Sequence, residues 1–497
     1  MRTNWRISMV VLAVLSVLPF SYAFCSPATT TVPEKVVILQ GIDIVSLDPV
    51  YFESGPGHNI ARHIFNTLVR RNPYSLEIES DLATSWELID DLTWEFKLRK
   101  GVVFHNGEPF NAAAAKFTIE RANARPTWGM KQVALDKVET LDDYTLRVIT
   151  KAPRANMLTF LLDLYLMPLD YYKTTSEDKM ATQPVGSGPY EFVEWVRDDH
   201  ITLKAFPEYW EGSPVVKTLV WRVVPEASSR IAELETGAAD IIADVPPDQI
   251  LQVENIENAT LMRVPSGYRM QMGMRHDEGP LQNTLVRQAI NYAVNVDSII
   301  QYLMQGNAVR MTSVLNPPYL NPNLKAYPYD PDKAKELLAE AGYPNGFKLV
   351  LESPSGRYVK DVATVQAIAS DLQKVGIDAE VKVFEWSVFI DMMLANELRD
   401  MWYLGMGPYY EGQLELNNYA GAYPQFKWYN TEFETLWDEL CTTMDDAERT
   451  EILYKIQDLF LADPPALMLW KGVNLYGVKA NVDWAINKVG IYLYRSE

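Results

Sequence analysis

Catalysis and metal binding leave spacing patterns in a sequence, and this chain carries few of them. Its five histidines, His58, His63, His105, His200 and His276, include no i,i+4 pair and no HExxH motif, so no helical metal site is visible. Two cysteines, Cys25 and Cys441, make neither a disulfide framework nor a thiolate cluster. No G-x-S-x-G elbow, Walker loop or GxGxxG opening a βα unit occurs. The 65 carboxylates in 497 residues produce close pairs by chance, so paired-carboxylate hydrolysis has no specific support. The residues offer recognition instead. There are 13 Trp and 27 Tyr, rings with apolar faces and a polar handle. Gly405, Gly407, Pro408 and Gly412 break any helical spacing around Trp402, Tyr409 and Tyr410. Met401 to Glu411 is therefore expected to be a loop that carries these rings to a cleft. A second candidate is Ser353-Pro354-Ser355-Gly356-Arg357-Tyr358, which follows an expected strand, at the carboxyl end where open α/β sheets bind ligands. The Arg357 guanidinium fork fits a carboxylate.

The elements that must position these groups alternate along the chain. Lys35 to Gln40 reads as an opening strand, and a helix is expected over Asn59 to Arg70. Thr93 to Leu98 alternates as a strand, and Asn111 is the N-cap of a following helix. Pro184 to Pro189 is a glycine- and proline-set turn. It is followed by a hairpin of Tyr190 to Val196 and a strand starting at Ile201. Glu226 to Gly237 is a helix with a glycine stop. The proline- and glycine-marked stretch Arg263 to Tyr268 is the expected first connection between two lobes. Helices Leu281 to Val294, Asp330 to Gly342 and Val359 to Val375, with strands Lys348 to Leu351 and Ile377 to Phe384, imply βαβ units. Trp386 begins another helix. The formal net charge of −20 excludes a nucleic-acid or anionic-membrane surface, which needs clustered Lys and Arg. Arg2 and Arg6, an apolar Ile7 to Leu18, Pro19 and the small residues Ser21 and Ala23 read as a cleaved export signal over residues 1–23. Cys25 invites lipidation, but Phe24 is too large for the residue before a lipidated cysteine, so this is the less favoured expectation.

Several motifs carry a family likeness. Gly186-Ser187-Gly188-Pro189-Tyr190 with the later Glu208-Tyr209-Trp210, the run TWEFKLRKGVVFHNGEPF from Thr93 to Phe110, and VRQAINYAV from Val286 to Val294 resemble family 5 extracellular solute-binding proteins. The likeness spans Lys35 to Trp470. It implies an α/β, two-lobe periplasmic-binding-protein fold of the large kind (type II, cluster C), with an extra subdomain in the first lobe. The first lobe would run over 34–265, holding an inserted subdomain at about 74–183 and completed by 473–497. The second lobe would run over 266–472. The resemblance further implies a periplasmic, monomeric receptor without catalytic residues, cofactor or metal, which captures a short peptide or peptide-like solute between its lobes for ABC permease subunits. Alternatives are a receptor of the same fold for a sugar, opine or metal chelate, and an exported hydrolase.

Family topology also implies site residues. Ser54 and Gly55 lie in a loop after an LDP turn. Ser266, Gly267 and Tyr268 lie at the crossing, and Trp386 matches a tryptophan that packs on ligand. Peptide-binding relatives carry an aspartate in the loop that here reads Gly407-Pro408-Tyr409-Tyr410-Glu411-Gly412. Glu411 is the expected substitute for holding an ammonium group. Asn106 stands where the family commonly has Asp, and His105 beside it is expected to be a hydrogen-bonded turn residue.

Overall fold

Strand β1 (Lys35–Gln40) is the buried middle of one half of a large mixed sheet, with Val36, Ile38 and Leu39 wholly inaccessible. In chain order the other strands are β2 (Val69–Arg71), β3 (Ile78–Ser80), β4 (Ala83–Asp90), β5 (Thr93–Leu98), β6 (Leu135–Asp142), β7 (Thr145–Thr150), β8 (Tyr190–Val196), β9 (His200–Ala205), β10 (Thr218–Val223), β11 (Ile241–Ile242), β12 (Ala259–Met274), β13 (Ala308–Arg310), β14 (Lys348–Ser355), β15 (Asp378–Glu385), β16 (Met401–Met406) and β17 (Ala466–Lys479). The computed structural model describes residues 32–51, 55–124, 133–407, 410–420, 428–488 and 490–494.

Eleven strands form one sheet in the order β15-β14-β16-β12-β17-β11-β1-β10-β9-β8, with β13 attached to β17. At one end β14 lies parallel to β15 through the helix Asp361–Gln373, a βαβ unit as expected. At the other end β8 and β9 make the anticipated hairpin, with Asp198 in the left-handed region at the turn. The two halves meet in β12 and β17, which run antiparallel over nearly their whole length. Their register slips between Pro265 and Arg269, so Ser266, Gly267 and Tyr268 stand outside the ladder. One set of apolar clusters flanks the β1 half, around Trp221, Tyr190 and Leu234. Another flanks the β14–β16 half, around Tyr403, Ile368, Phe433 and Phe460. A third gathers Phe96, Phe104, Phe110 and Val148 between the separate sheet β4-β5-β7-β6 and the helix Ala112–Ala124. Asn111 caps that helix by accepting from the Ala114 amide at 3.1 Å.

The structure departs from expectation in two places that matter. The helix expected over Asn59 to Arg70 runs over Gly55–Ile64, and Val69 to Arg71 is β2. The reason lies in the glycine turn. The Gly188 amide donates to the Ile64 carbonyl at 2.9 Å, and a Cβ at Gly186 would lie 2.0 Å from the same oxygen. The turn therefore occupies the space where a further helical turn would go. Likewise Met401 to Met406 is a strand inside the sheet. Packing of Met401, Trp402 and Tyr403 from both faces outweighs its one glycine, Gly405. Among the described residues no helix is long and apolar enough to cross a membrane.

Candidate functional site

A cavity of about 540 Å³ opens beside the unpaired crossing. Arg71, Ser75, Leu76, Glu77 and Ile78 of the β2–β3 hairpin form one wall, and Pro265, Gly267, Asn316 to Tyr319, Tyr410, Glu411 and Lys471 form the other. Its size suits a small-molecule ligand. The slip in β12 shapes the second wall. Gly267 has φ +64°, a conformation open to glycine at little cost. Its carbonyl accepts from the Asn316 side-chain Nδ2 at 3.3 Å. The Ser266 hydroxyl donates to the Gly472 carbonyl at 3.1 Å and accepts from the Tyr268 amide at 3.2 Å.

The loop after β16 is tied down by one acidic side chain. Glu415 is fully buried and accepts from the amides of Tyr410 at 2.6 Å, Gly412 at 2.9 Å and Glu411 at 3.4 Å. This holds Tyr410 with its hydroxyl donating to the Ser266 carbonyl at 3.1 Å. The Arg71 guanidinium, from the opposite wall, sits 5.5 Å from the Tyr410 ring centre, within cation–π range. Burial pushes the Arg71 pKa down and the Tyr410 phenol up. Lys471, in β17, donates to the Leu315 carbonyl. Burial, and the neighbouring Arg269 charge, lower its pKa to about 8.

Near the same crossing lies an aromatic cluster. The Tyr358 ring meets Trp386 at 6.0 Å and Tyr403 at 5.7 Å, both edge to face, and Tyr268 at 6.4 Å. Gly405 makes room for it, since a Cβ there would come within 2.4 Å of Tyr268 and 2.8 Å of Tyr358. Arg357 is exposed and lies over this surface, 5.0 Å from the Trp386 ring centre and 5.2 Å from that of Tyr358. Its backbone is fixed by the Arg357 and Tyr358 amides, which donate to Asp361 at 3.0 and 3.2 Å.

With this geometry in view, the chain matches the family of bacterial extracellular solute-binding proteins, family 5 (middle), over residues 77–423. It belongs to that family. It is 32% identical over 394 residues to the glutathione-binding protein GsiB of Escherichia coli, covering 77% of this chain and 75% of that protein. The structure resembles the ABC transporter-associated periplasmic binding protein DppA of Helicobacter pylori, solved with the peptide STSA. The TM-score is 0.78 at 27% identity, over 94% of this chain and 99% of that one. The substrate-binding protein CtaP of Listeria monocytogenes shares the fold, with a TM-score of 0.83 at 20% identity over 93% and 99% of the two chains. This family 5 protein thus has the two-lobe fold of its neighbours, and the family and these relatives are named for binding.

The residues singled out from the sequence of this family 5 chain divide into groups. Gly267, Tyr410 and Glu411 line the cavity, and Ser266 and Tyr268 flank Gly267. Arg357, Tyr358 and Trp386 come together over the aromatic surface. Trp402 instead packs in the core of the β14–β16 half, 3% exposed, because it lies in a strand. Gly55 starts the first helix, while Ser54 and Tyr409 lie outside the described residues.

Glu411, expected to hold an ammonium group, is engaged within the protein. One of its oxygens accepts from Arg449 at 3.0 Å and the other from the Leu414 amide at 2.9 Å. Both are engaged in holding the helix Asp446–Ala462 and the loop together. Burial still pushes the Glu411 carboxyl up to about 7, against the pull of Arg449. His105 is the expected turn residue, its Nε2 donating to the Gly188 carbonyl at 2.9 Å. Among the described residues no cluster of His, Cys, Asp and Glu is placed to hold a metal ion. Arg71, Asn316, Tyr319 and Lys471 were not foreseen. A signal for Lys471 exists: it is the one charged residue in the run ALMLWKGVNLYGV from Ala466 to Val478.

Proposed function

We propose that this protein is the periplasmic receptor of an ABC importer. It would take a short peptide or peptide-like small molecule into the cavity beside the crossing and hand it to permease subunits. The observation carrying this reading is the cavity itself, with one wall on the β2–β3 hairpin and the other on Pro265, Gly267, Asn316 to Tyr319 and Tyr410. We place the lobe boundaries at 265/266 and 472/473, within β12 and β17, and the inserted subdomain at about 74–183. The slipped register there is where a bend between lobes costs fewest ladder hydrogen bonds. Arg357, over the Tyr358 and Trp386 rings, is assigned to a ligand carboxylate, and Tyr268 and Tyr410 to its apolar parts. Residues 1–23 are assigned to a cleaved export signal, with the mature chain acting as a monomer and without catalytic turnover.

The experiment is calorimetric titration with glutathione, di- and tripeptides and opines, followed by mass spectrometry of the recovered ligand and small-angle scattering with and without it. Stoichiometric binding, unchanged ligand and a more compact bound form are expected. Cleavage of any ligand would favour the exported-hydrolase alternative. Superimposable scattering curves at saturation would remove closure from the account.

A further inference from the structure

Buried charges in proteins are normally paired, because an unpaired one in a low-dielectric interior is costly. Around the cavity this balance is uneven. The Arg449–Glu411 pair is self-contained. Arg269 is 0% exposed and sends its donors to the carbonyls of Val314, Gly407 and Glu415. Directly across the ladder, β12 to β17, stands Lys471. Its ammonium lines the cavity and donates to the Leu315 carbonyl. Among the described residues neither Arg269 nor Lys471 forms an ion pair with a carboxylate.

The anion whose field reaches Lys471 is Glu415, whose carboxylate is already occupied by three backbone amides. Arg71 adds a further cation on the facing wall. On the lining the buried or half-buried charges are Arg71, Lys471 and Glu411; Glu411 is taken up by Arg449, and Arg71 also lies in the field of Glu415 and Asp163. Exposed Lys488 and Glu77 on the lining offset each other. An ammonium is a compact charge with three donors, and the remaining walls, Pro317, Pro318 and Tyr319, suit the apolar part of a solute.

We infer that Lys471 seats a carboxylate of the solute inside this cavity, and that the site selects solutes of net negative charge. The inference rests on the receptor reading and adds the ligand's charge to it. Glu411, bound to Arg449, does not provide an ammonium site, so a free amine on the solute is not what fixes its orientation here.

The test uses the full purified protein. Native mass spectrometry first identifies any co-purified solute. Titrations of wild type, Lys471→Met and Lys471→Arg then use glutathione, glutathione diethyl ester, N-acetyl-triglycine and N-acetyl-triglycine amide. A charged hydrogen bond lost at Lys471 corresponds to about tenfold to a hundredfold weaker binding of the free acid. The esterified or amidated partner should already bind wild type weakly and lose little more in Lys471→Met, while Lys471→Arg should keep much of the acid's affinity. Equal affinity of wild type for acid and ester, or a folded Lys471→Met with unchanged acid affinity, would overturn the inference and leave the receptor standing. So would a co-purified solute that is neutral or cationic. If Lys471→Met fails to fold, the acid-against-ester comparison on wild type decides alone. Neither co-purified solute nor binding of any probe would overturn the receptor reading itself, and the inference with it.

Discussion

Replacing Gly188 by alanine tests the contact that ends the first helix. A Cβ built there would lie 2.6 Å from the Ile64 carbonyl carbon, 2.7 Å from the His63 oxygen and 2.7 Å from the Phe65 nitrogen. All three are backbone atoms, so no side chain can swing away. Restoring ordinary contact requires the turn and the helix end to separate by about 1 Å, an overpacking strain of about 1–3 kcal/mol. The same displacement breaks the 2.9 Å bond from the Gly188 amide to Ile64 and strains that from His105 to the Gly188 carbonyl. Leaving one such buried group unsatisfied adds about 1–3 kcal/mol, for a total of about 2–6 kcal/mol. With an unfolding entropy of about 2 cal/mol/K per residue, a chain of this length should melt about 2–6 °C lower. Thermal and urea unfolding would measure this, with Gly407→Ala as the control, since nothing lies within 4 Å of a Cβ there. A Gly188→Ala protein melting within a degree of wild type would refute the close-approach argument.

Acid should destabilise the fold through its buried imidazoles. Burial holds His63 and His105 down to about 4, against 6.5 in the unfolded chain. Between those values the unfolded state binds more protons, so each stabilises fully above pH 6.5 and loses up to about 3 kcal/mol as pH falls to 4. Urea midpoints against pH should show a shallower slope in His105→Asn. Arg449→Met should leave Glu411 buried without its partner and cost about 3–5 kcal/mol by urea unfolding. In contrast, Glu411→Gln should alter affinity for free-amine and N-acetylated ligands alike in paired titrations. Arg357→Ala should leave the melting temperature unchanged, because the side chain is exposed, yet weaken a carboxylate ligand by about 1.5–3 kcal/mol. Unchanged affinity by calorimetry would take Arg357 out of the site.

Element types were legible wherever local chemistry agreed with tertiary packing. Asn111 as a cap, Gly237 as a helix stop and the β8–β9 hairpin all lie where the sequence places them. The first helix was misjudged because its end is set by Gly188, a residue more than a hundred positions away, and hydrophobic spacing carries no such information. Strand β16 was misjudged because Gly405 and Gly407 look like loop formers; the first is a glycine to clear Tyr268 and Tyr358. The site was legible where one segment supplies it, as with Arg357 and Tyr358. It was not where distant segments meet. Arg71 reaches the cavity through β2, which was assigned to a helix, and the engagement of Glu411 depends on Arg449, placed by a helix far along the chain.

The charge on the walls bears on how such a receptor could close. At long range a chain of net charge −20 repels an anionic solute, but salt screens exposed charge beyond about 8 Å. At the cavity the charges are partly shielded from that screening: Lys471 with buried Arg269 across the ladder from it, and Arg71 on the other wall, with Glu411 and Glu415 nearby. A ligand that touches one wall stabilises open and closed forms equally, and so shifts nothing. Moving an equilibrium from mostly open to mostly closed takes about 5.5 kcal/mol of preference for the closed form. A charged hydrogen bond is worth about 1.5–3 kcal/mol, so a single one is insufficient. An anion held by Lys471 and Arg71 together would supply about 3–6 kcal/mol, which meets that requirement at its upper end. On this reading selection for negative charge and closure of the lobes would have one cause.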